Sequence, residues 1–202
     1  MIKFTKNELR DQQTRLAQLQ RYLPTLQLKK AMLQTEVYEA RQEALQYRAE
    51  EKKVAAQVAK MGHLFSESAP LALDQIAQIE RVDKHYENIA GVELPFFDGV
   101  SFKPLEYALF DTPPWLEAFA AQARGHAEAA VHVEIAEEKQ AALEEELRQV
   151  SIRVNLFEKV LIPRALGNIK RIKVFLGDQQ LAAVAQAKVA KAKIVERHSH
   201  AR

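Results

Sequence analysis

A heptad repeat sustained over seven periods constrains this chain more than any other feature. Stepping by alternate threes and fours from Leu9 reaches Gln12, Leu16, Leu19, Leu23, Leu26, Lys30, Leu33, Val37, Ala40, Ala44, Tyr47, Glu51, Val54, Val58 and Met61, and thirteen of these sixteen positions are apolar. An apolar period of 3.5 residues, with charge elsewhere, builds a helix that buries one narrow stripe against another helix. Thr5 and Glu8 have the spacing of a capping box, and Phe4 and Leu9 that of a hydrophobic staple. Gly62 is suited to the left-handed position just past a helix end. The first segment, 1–61, is therefore a helix over Lys6–Met61, with a kink expected at Pro24, where a backbone donor is missing.

The same stepping from Trp115 reaches Phe119, Gln122, His126, Ala129, Val133, Ala136, Gln140, Leu143, Leu147, Val150, Val154, Phe157 and Leu161, with eleven of fourteen positions apolar. Thr112 and Pro113 are placed as its cap and first helical residue. At Pro163 the stripe slips by one residue. A second register then runs through Ile162, Leu166, Ile169, Lys173, Leu176, Gln180, Ala183, Ala187, Ala190 and Ile194. Gly167 and Gly177 weaken this helix by about 1 kcal/mol each relative to alanine without ending it. The third segment is thus 115–202.

Between them, 62–114 holds five of the seven prolines and three of the six glycines. Ile76–Ile89 is rich in β-forming residues, and Gly91–Phe97 reads as a turn and short strand. Ser66–Gln78 and Leu105–Phe110 are possible short helices. The fold class expected is mainly α: an antiparallel two-helix coiled coil of the N- and C-terminal helices, with a small α/β cap on the middle segment. A parallel homodimer and a compact four-helix bundle compete with it. The seam residues are Leu9, Leu16, Leu19, Leu26, Leu33, Val37, Val54, Leu147, Val150, Val154, Phe157, Leu161, Ile169 and Leu176.

Chemistry is sparse. With no cysteine there are no disulfides, thiolate metal sites or thiol nucleophiles, which suits a reducing compartment. No phosphate-binding glycine loop or HExxH metal pair occurs, and no serine lies in a nucleophile elbow. No run approaches the roughly 20 apolar residues of a membrane span. His126 and His132 read as structural, and Glu137, Glu138 and Glu144–Glu146 as a solvated flank. No catalytic residue, cofactor or metal ligand is assigned. Charge is uneven: residues 164–202 carry 9 Lys and Arg against 2 Asp and Glu, while 61–114 carry 3 against 9. A basic end can serve an acidic protein surface or nucleic acid, so a coiled-coil adaptor or nucleic-acid-binding arm is the alternative function. Phe175 is the only aromatic residue there to stack on a base.

One stretch is more distinctive. Arg153-Val154-Asn155-Leu156-Phe157-Glu158-Lys159-Val160-Leu161-Ile162-Pro163-Arg164 resembles the R-V-N-x-x-E-x-V-x-I-P-R signature of the family of D subunits of V-type and archaeal A-type ATPases. Its signature residues here are Arg153, Asn155, Glu158, Ile162, Pro163 and Arg164. Thr5–Leu9, Leu26–Leu33 and Asn88–Pro95 are similar to other stretches of that family, in the same order, while Pro24 departs from it. The resemblance implies a non-catalytic rotor axle of a rotary ATPase, cytoplasmic and peripheral to the membrane. Its implied partners are the A- and B-type head subunits, the small F-type stalk subunit and a connector above the membrane ring, with no nucleic acid. The alanine-rich tip carrying Lys188, Lys191, Lys193 and Ile194 would meet the head.

Overall fold

The computed structural model describes residues 3–61, 76–104 and 114–200, with side chains described as far as Ile194. Helix α1 spans Lys6–Lys60, strands β1 and β2 span Ile79–Ile89 and Val92–Phe102, helix α2 spans Leu116–Leu156, and helix α3 spans Ile162–His200. A single π-helical stretch, Phe157–Leu161, joins α2 to α3. The chain is mainly α, and its described residues contain one two-stranded antiparallel sheet. Residues 62–75 and 105–113 lie outside the described residues, so the stop at Gly62, most of the short helix expected over Ser66–Gln78, the short helix over Leu105–Phe110 and the Thr112–Pro113 cap fall outside the description. Helix α2 begins at Leu116, behind a turn at Pro114–Trp115.

Local chemistry accounts for these boundaries. At the start of α1 the Thr5 hydroxyl accepts the Glu8 backbone N–H at 3.2 Å, satisfying one of the free donors of the first turn. Half of the capping box forms; the Glu8 carboxylate instead accepts the Gln12 amide at 2.9 Å. The helix continues through the exposed Pro24, carried by a sequence dominated by leucine, alanine, glutamine and charged residues. Its last turn tightens, with Met61 N–H donating to the Val58 carbonyl three residues back.

The π stretch explains the phase slip at Pro163. Proline offers no N–H to the carbonyl four residues before it, and Ile162 N–H reaches back five residues to Phe157 O. One extra residue is absorbed and the apolar stripe turns with it. The order of threes and fours is preserved across the insertion, so the buried stripe continues through Ala165, Ile169 and Ile172. The register starting Ile162, Leu166 has the right slip but the wrong first step. Leu166 and Lys173 are exposed, and Ala165 and Ile172 take their places.

The described chain forms two compact units, Met1–Leu28 with Val150–Arg202 (the terminal unit) and Lys29–Gln149 (the hairpin unit). In the terminal unit Phe4 meets Phe175 (ring centroids 5.0 Å apart) and Gln12 accepts the Asn168 amide at 3.3 Å, an antiparallel order. Its core is Leu19, Val150, Val154, Ala165, Ile169 and Ile172. In the hairpin unit the order is also antiparallel, from Lys29 beside Glu146 to Glu51 beside His126. Its core includes Leu33, Ala40, Ala44, Val131, Ile135, Ala136 and Leu143, with a second cluster of Ile76, Leu116, Phe119 and Ala120.

Candidate interaction surfaces

The hairpin unit is clipped together by charge. Lys29 pairs with Glu146 at 2.7 Å, Arg41 with Glu144 at 3.2 Å, Lys139 with Glu43 at 2.8 Å, and Arg48 with Glu137 at 2.6 Å. His126 Nε2 lies 2.9 Å from Glu51 Oε1. Both belong to the few polar positions of the heptad stepping, and they answer each other across the helix pair. Apolar burial sets the stripe; these pairs fix which residue stands opposite which.

The β-hairpin lies along this same helix pair. At its base Arg124 donates to the carbonyls of Ile76 and Lys103, both at 3.3 Å, and covers the Phe102 ring. Further along, His132 lies between Tyr47 (5.1 Å) and Phe97 (4.0 Å), and Lys139 Nζ sits 4.4 Å from the Phe96 ring centroid. Lys84 donates to Glu138 at 2.9 Å, and that hydrogen bond holds the Lys84 ammonium above its ordinary pKa. At the turn, Ala90 (φ 52°) and Gly91 (φ 82°) are both left-handed, as a two-residue type I′ turn requires, and Asn88 Oδ1 accepts the Gly91 N–H at 3.1 Å. A Cβ on Gly91 would stand 3.4 Å from Lys29 Nζ, so the tip reaches the Lys29–Glu146 pair. Both strands are 11 residues long, more than a short turn-and-strand reading of Gly91–Phe97. The contacts with α1 and α2 supply what their mixed polar sequence lacks.

The terminal unit has a different character. Among the described residues none of its charged side chains enters an ion pair. The signature residues Arg153, Asn155, Glu158, Pro163 and Arg164 are exposed and Ile162 is half-buried. Beside them Ile152, Leu156 and Val160, four residues apart, form an exposed apolar ridge along the end of α2 and the π stretch. Every residue of α3 from Asp178 to Ile194 is exposed, including Lys188, Lys191, Lys193 and Ile194. Of the fourteen seam residues read from the sequence, Leu19, Leu33, Val150, Val154 and Ile169 are buried and the other nine half-buried.

These surfaces present charged and apolar patches suited to recognition. Among the described residues no three His, Asp or Glu side chains gather as a metal site, and no helix is long and apolar enough to cross a membrane. Each unit is an antiparallel helical pair, and the hairpin unit adds a small β-hairpin, which places the chain in the class of mainly α proteins built on paired long helices. The family model for the D subunit of ATP synthase matches residues 8–192. The V-type ATP synthase D subunit of Chlamydia caviae is 44% identical over 199 residues, covering 97% of this chain and 95% of that protein. Its counterpart in Chlamydia muridarum is 46% identical over 198 residues, 96% of each. The chain belongs to the family of ATP synthase D subunits.

Proposed function

We propose that this chain is the non-catalytic central-stalk rotor subunit of a V/A-type rotary ATPase. It couples ATP hydrolysis or synthesis in the catalytic head to ion movement through the membrane ring. Family membership supplies the frame, and one structural contrast carries the reading. The hairpin unit engages its charges internally, whereas α3 beyond Gly177 is a slim, alanine-rich, lysine-bearing helix with no buried residue among those described. Such a helix can turn inside a ring of subunits without locking to one of them. In this reading Lys188, Lys191, Lys193 and Ile194 meet the A- and B-type head subunits, and the small F-type stalk subunit lies along the helix pair. The middle segment 62–114 docks on the connector above the membrane ring. ATP binds in other subunits, and the chain sits peripherally on the cytoplasmic side.

Deleting 190–202 should weaken coupling between ATP turnover and ion pumping while the complex still assembles, and deleting 176–202 should abolish coupling. Normal coupled pumping by the longer deletion overturns the rotor reading of the tip.

A further inference from the structure

The terminal unit contains an open polar cleft of about 280 Å³, lined by Glu8, Gln12 and Arg15 of α1 and by Leu161, Arg164, Ala165 and Asn168 across from them. Its floor is largely self-satisfied. Asn168 donates to Gln12 Oε1 at 3.3 Å, and Gln12 donates to Glu8 Oε1 at 2.9 Å. Leu161 is half-buried and Ala165 is 4% exposed, so one wall of the cleft is apolar. What remains unsatisfied is positive. Arg15 and Arg164 are exposed, come from opposite sides, and neither has an ion pair or hydrogen bond among the described residues. Against the one carboxylate of Glu8, the lining carries a net charge of +1.

We infer that this cleft binds a carboxylate, held between the Arg15 and Arg164 guanidiniums and supplied by an acidic side chain of a protein partner in the assembled ATPase. The inference rests on the rotor reading only for the existence of that assembly. Guanidinium forks match the planar oxyanion of a carboxylate with paired N–H donors. A free ion in so open a cleft is held weakly, because water screens both arginines. A carboxylate carried on a docked protein is presented at a high effective concentration and does not need a closed pocket. The cleft adjoins the π stretch, whose last residue, Leu161, forms part of its wall. An anion there grips the N-terminal and C-terminal helices together at the point where the helical phase shifts.

The test follows the rate at which a dicarbonyl reagent modifies individual arginines, read by mass spectrometry on the full chain. Acetate or inorganic phosphate at tens of millimolar should slow Arg15 and Arg164 together, several-fold, and leave Arg10 and Arg171 unchanged. The R164A variant should remove the protection of Arg15, and R15A that of Arg164, with helix content unaltered because both side chains are exposed. In the assembled ATPase both arginines should react at least tenfold more slowly with no added anion, and about 0.5 M salt should restore their reactivity. Protection of Arg15 that survives R164A overturns the shared site, as does equal protection of Arg10 and Arg171. Slow modification that salt does not relieve means steric cover and overturns the ionic assignment. Protection by free phosphate with none in the assembled ATPase identifies a small-ion site and overturns the protein carboxylate.

Discussion

The hairpin unit and the terminal unit are made from the same two helical segments and are held by different forces. Residues 29–149 carry 13 Lys and Arg against 22 Asp and Glu, a net −9, yet their interhelical contacts are a ladder of opposite charges braced by a β-hairpin. Residues 1–28 and 150–202 carry 16 against 5, a net +11, with no ion pair among the described side chains. The terminal unit coheres through apolar burial, one amide pair and one aromatic contact. A unit whose opposite charges pair across its helices is fixed in register. A unit that leaves like charges unpaired gives up internal stability and keeps a basic surface for partners.

The largest effect that separates the two comes from Ile172→Ala. Ile172 is fully buried, and the terminal unit has no ion pairs among its described residues to fall back on. The substitution should cost about 2–5 kcal/mol, and amide exchange should rise across 6–28 and 150–176 before it rises in the hairpin unit. Leu143→Ala, fully buried in the other unit, should remove a similar amount there. Equal loosening of both units by either variant would mean that they unfold as one body and the distinction has no energetic meaning.

Salt should move the two units in opposite directions. Exposed ion pairs contribute about 0.2–1 kcal/mol each and weaken as the screening length falls from about 10 Å at 0.1 M to about 3 Å at 1 M. The hairpin unit should lose protection over that range, by up to about 1–2 kcal/mol for its interhelical pairs together, offset in part because screening also relieves repulsion within its net −9. The terminal unit should gain, because the same screening relieves repulsion within a +11 surface. Amide exchange at the two salt concentrations checks this, and a loss in the terminal unit would indicate ionic contacts that hold it together.

This contrast was only half legible in the sequence. Heptad stepping exposed the helices, and the slip at Pro163 marked the π stretch, because a proline and a one-residue phase change are both local signals. The Thr5 cap was readable for the same reason. The ion-pair ladder was not, since a glutamate on a helix flank looks alike whether it faces water or Arg48. Net charge was hidden in a similar way: taken in chain order it alternates modestly, and only folding gathers residues 1–28 with 150–202 into one strongly basic body. The second strand was under-read past Phe97 because Asp98 and Ser101 are polar and exposed, and the hairpin's contacts with α1 and α2 lie far away in sequence. The cleft at Arg15 and Arg164 joins residues from the two ends of the heptad pattern, and no spacing rule reveals such a pair.

A smaller effect tests the hairpin's attachment. The Glu138 hydrogen bond raises the Lys84 pKa, so the folded state favours the charged lysine. The stabilisation is fully present below the ordinary lysine value and is lost as pH rises through the elevated one. Because Glu138 is 47% exposed, the effect should not exceed about 1 kcal/mol. Melting followed from about pH 8 to about pH 12, a range that spans the ordinary lysine value, should show a steeper fall for the natural chain than for Lys84→Met in its alkaline part. Parallel curves would show that Lys84 contributes nothing through its charge.

The smallest effect concerns the turn. Ala90 is held at φ 52°, where its Cβ crowds the following carbonyl, and it is the one non-glycine residue with positive φ among those described. Asparagine tolerates that conformation far better, and Asn-Gly is the favoured pair of a type I′ turn. Ala90→Asn should therefore stabilise the hairpin by about 0.5 kcal/mol, slowing amide exchange in 79–102 and leaving the terminal unit untouched. The substitution relieves strain only if the turn stays docked beside Lys29, whose ammonium would lie 3.4 Å from a Cβ at Gly91. Faster exchange in the strands would mean that the asparagine side chain disturbs the Lys29–Glu146 pair, making the turn's position against α1 more important to the hairpin than its backbone strain.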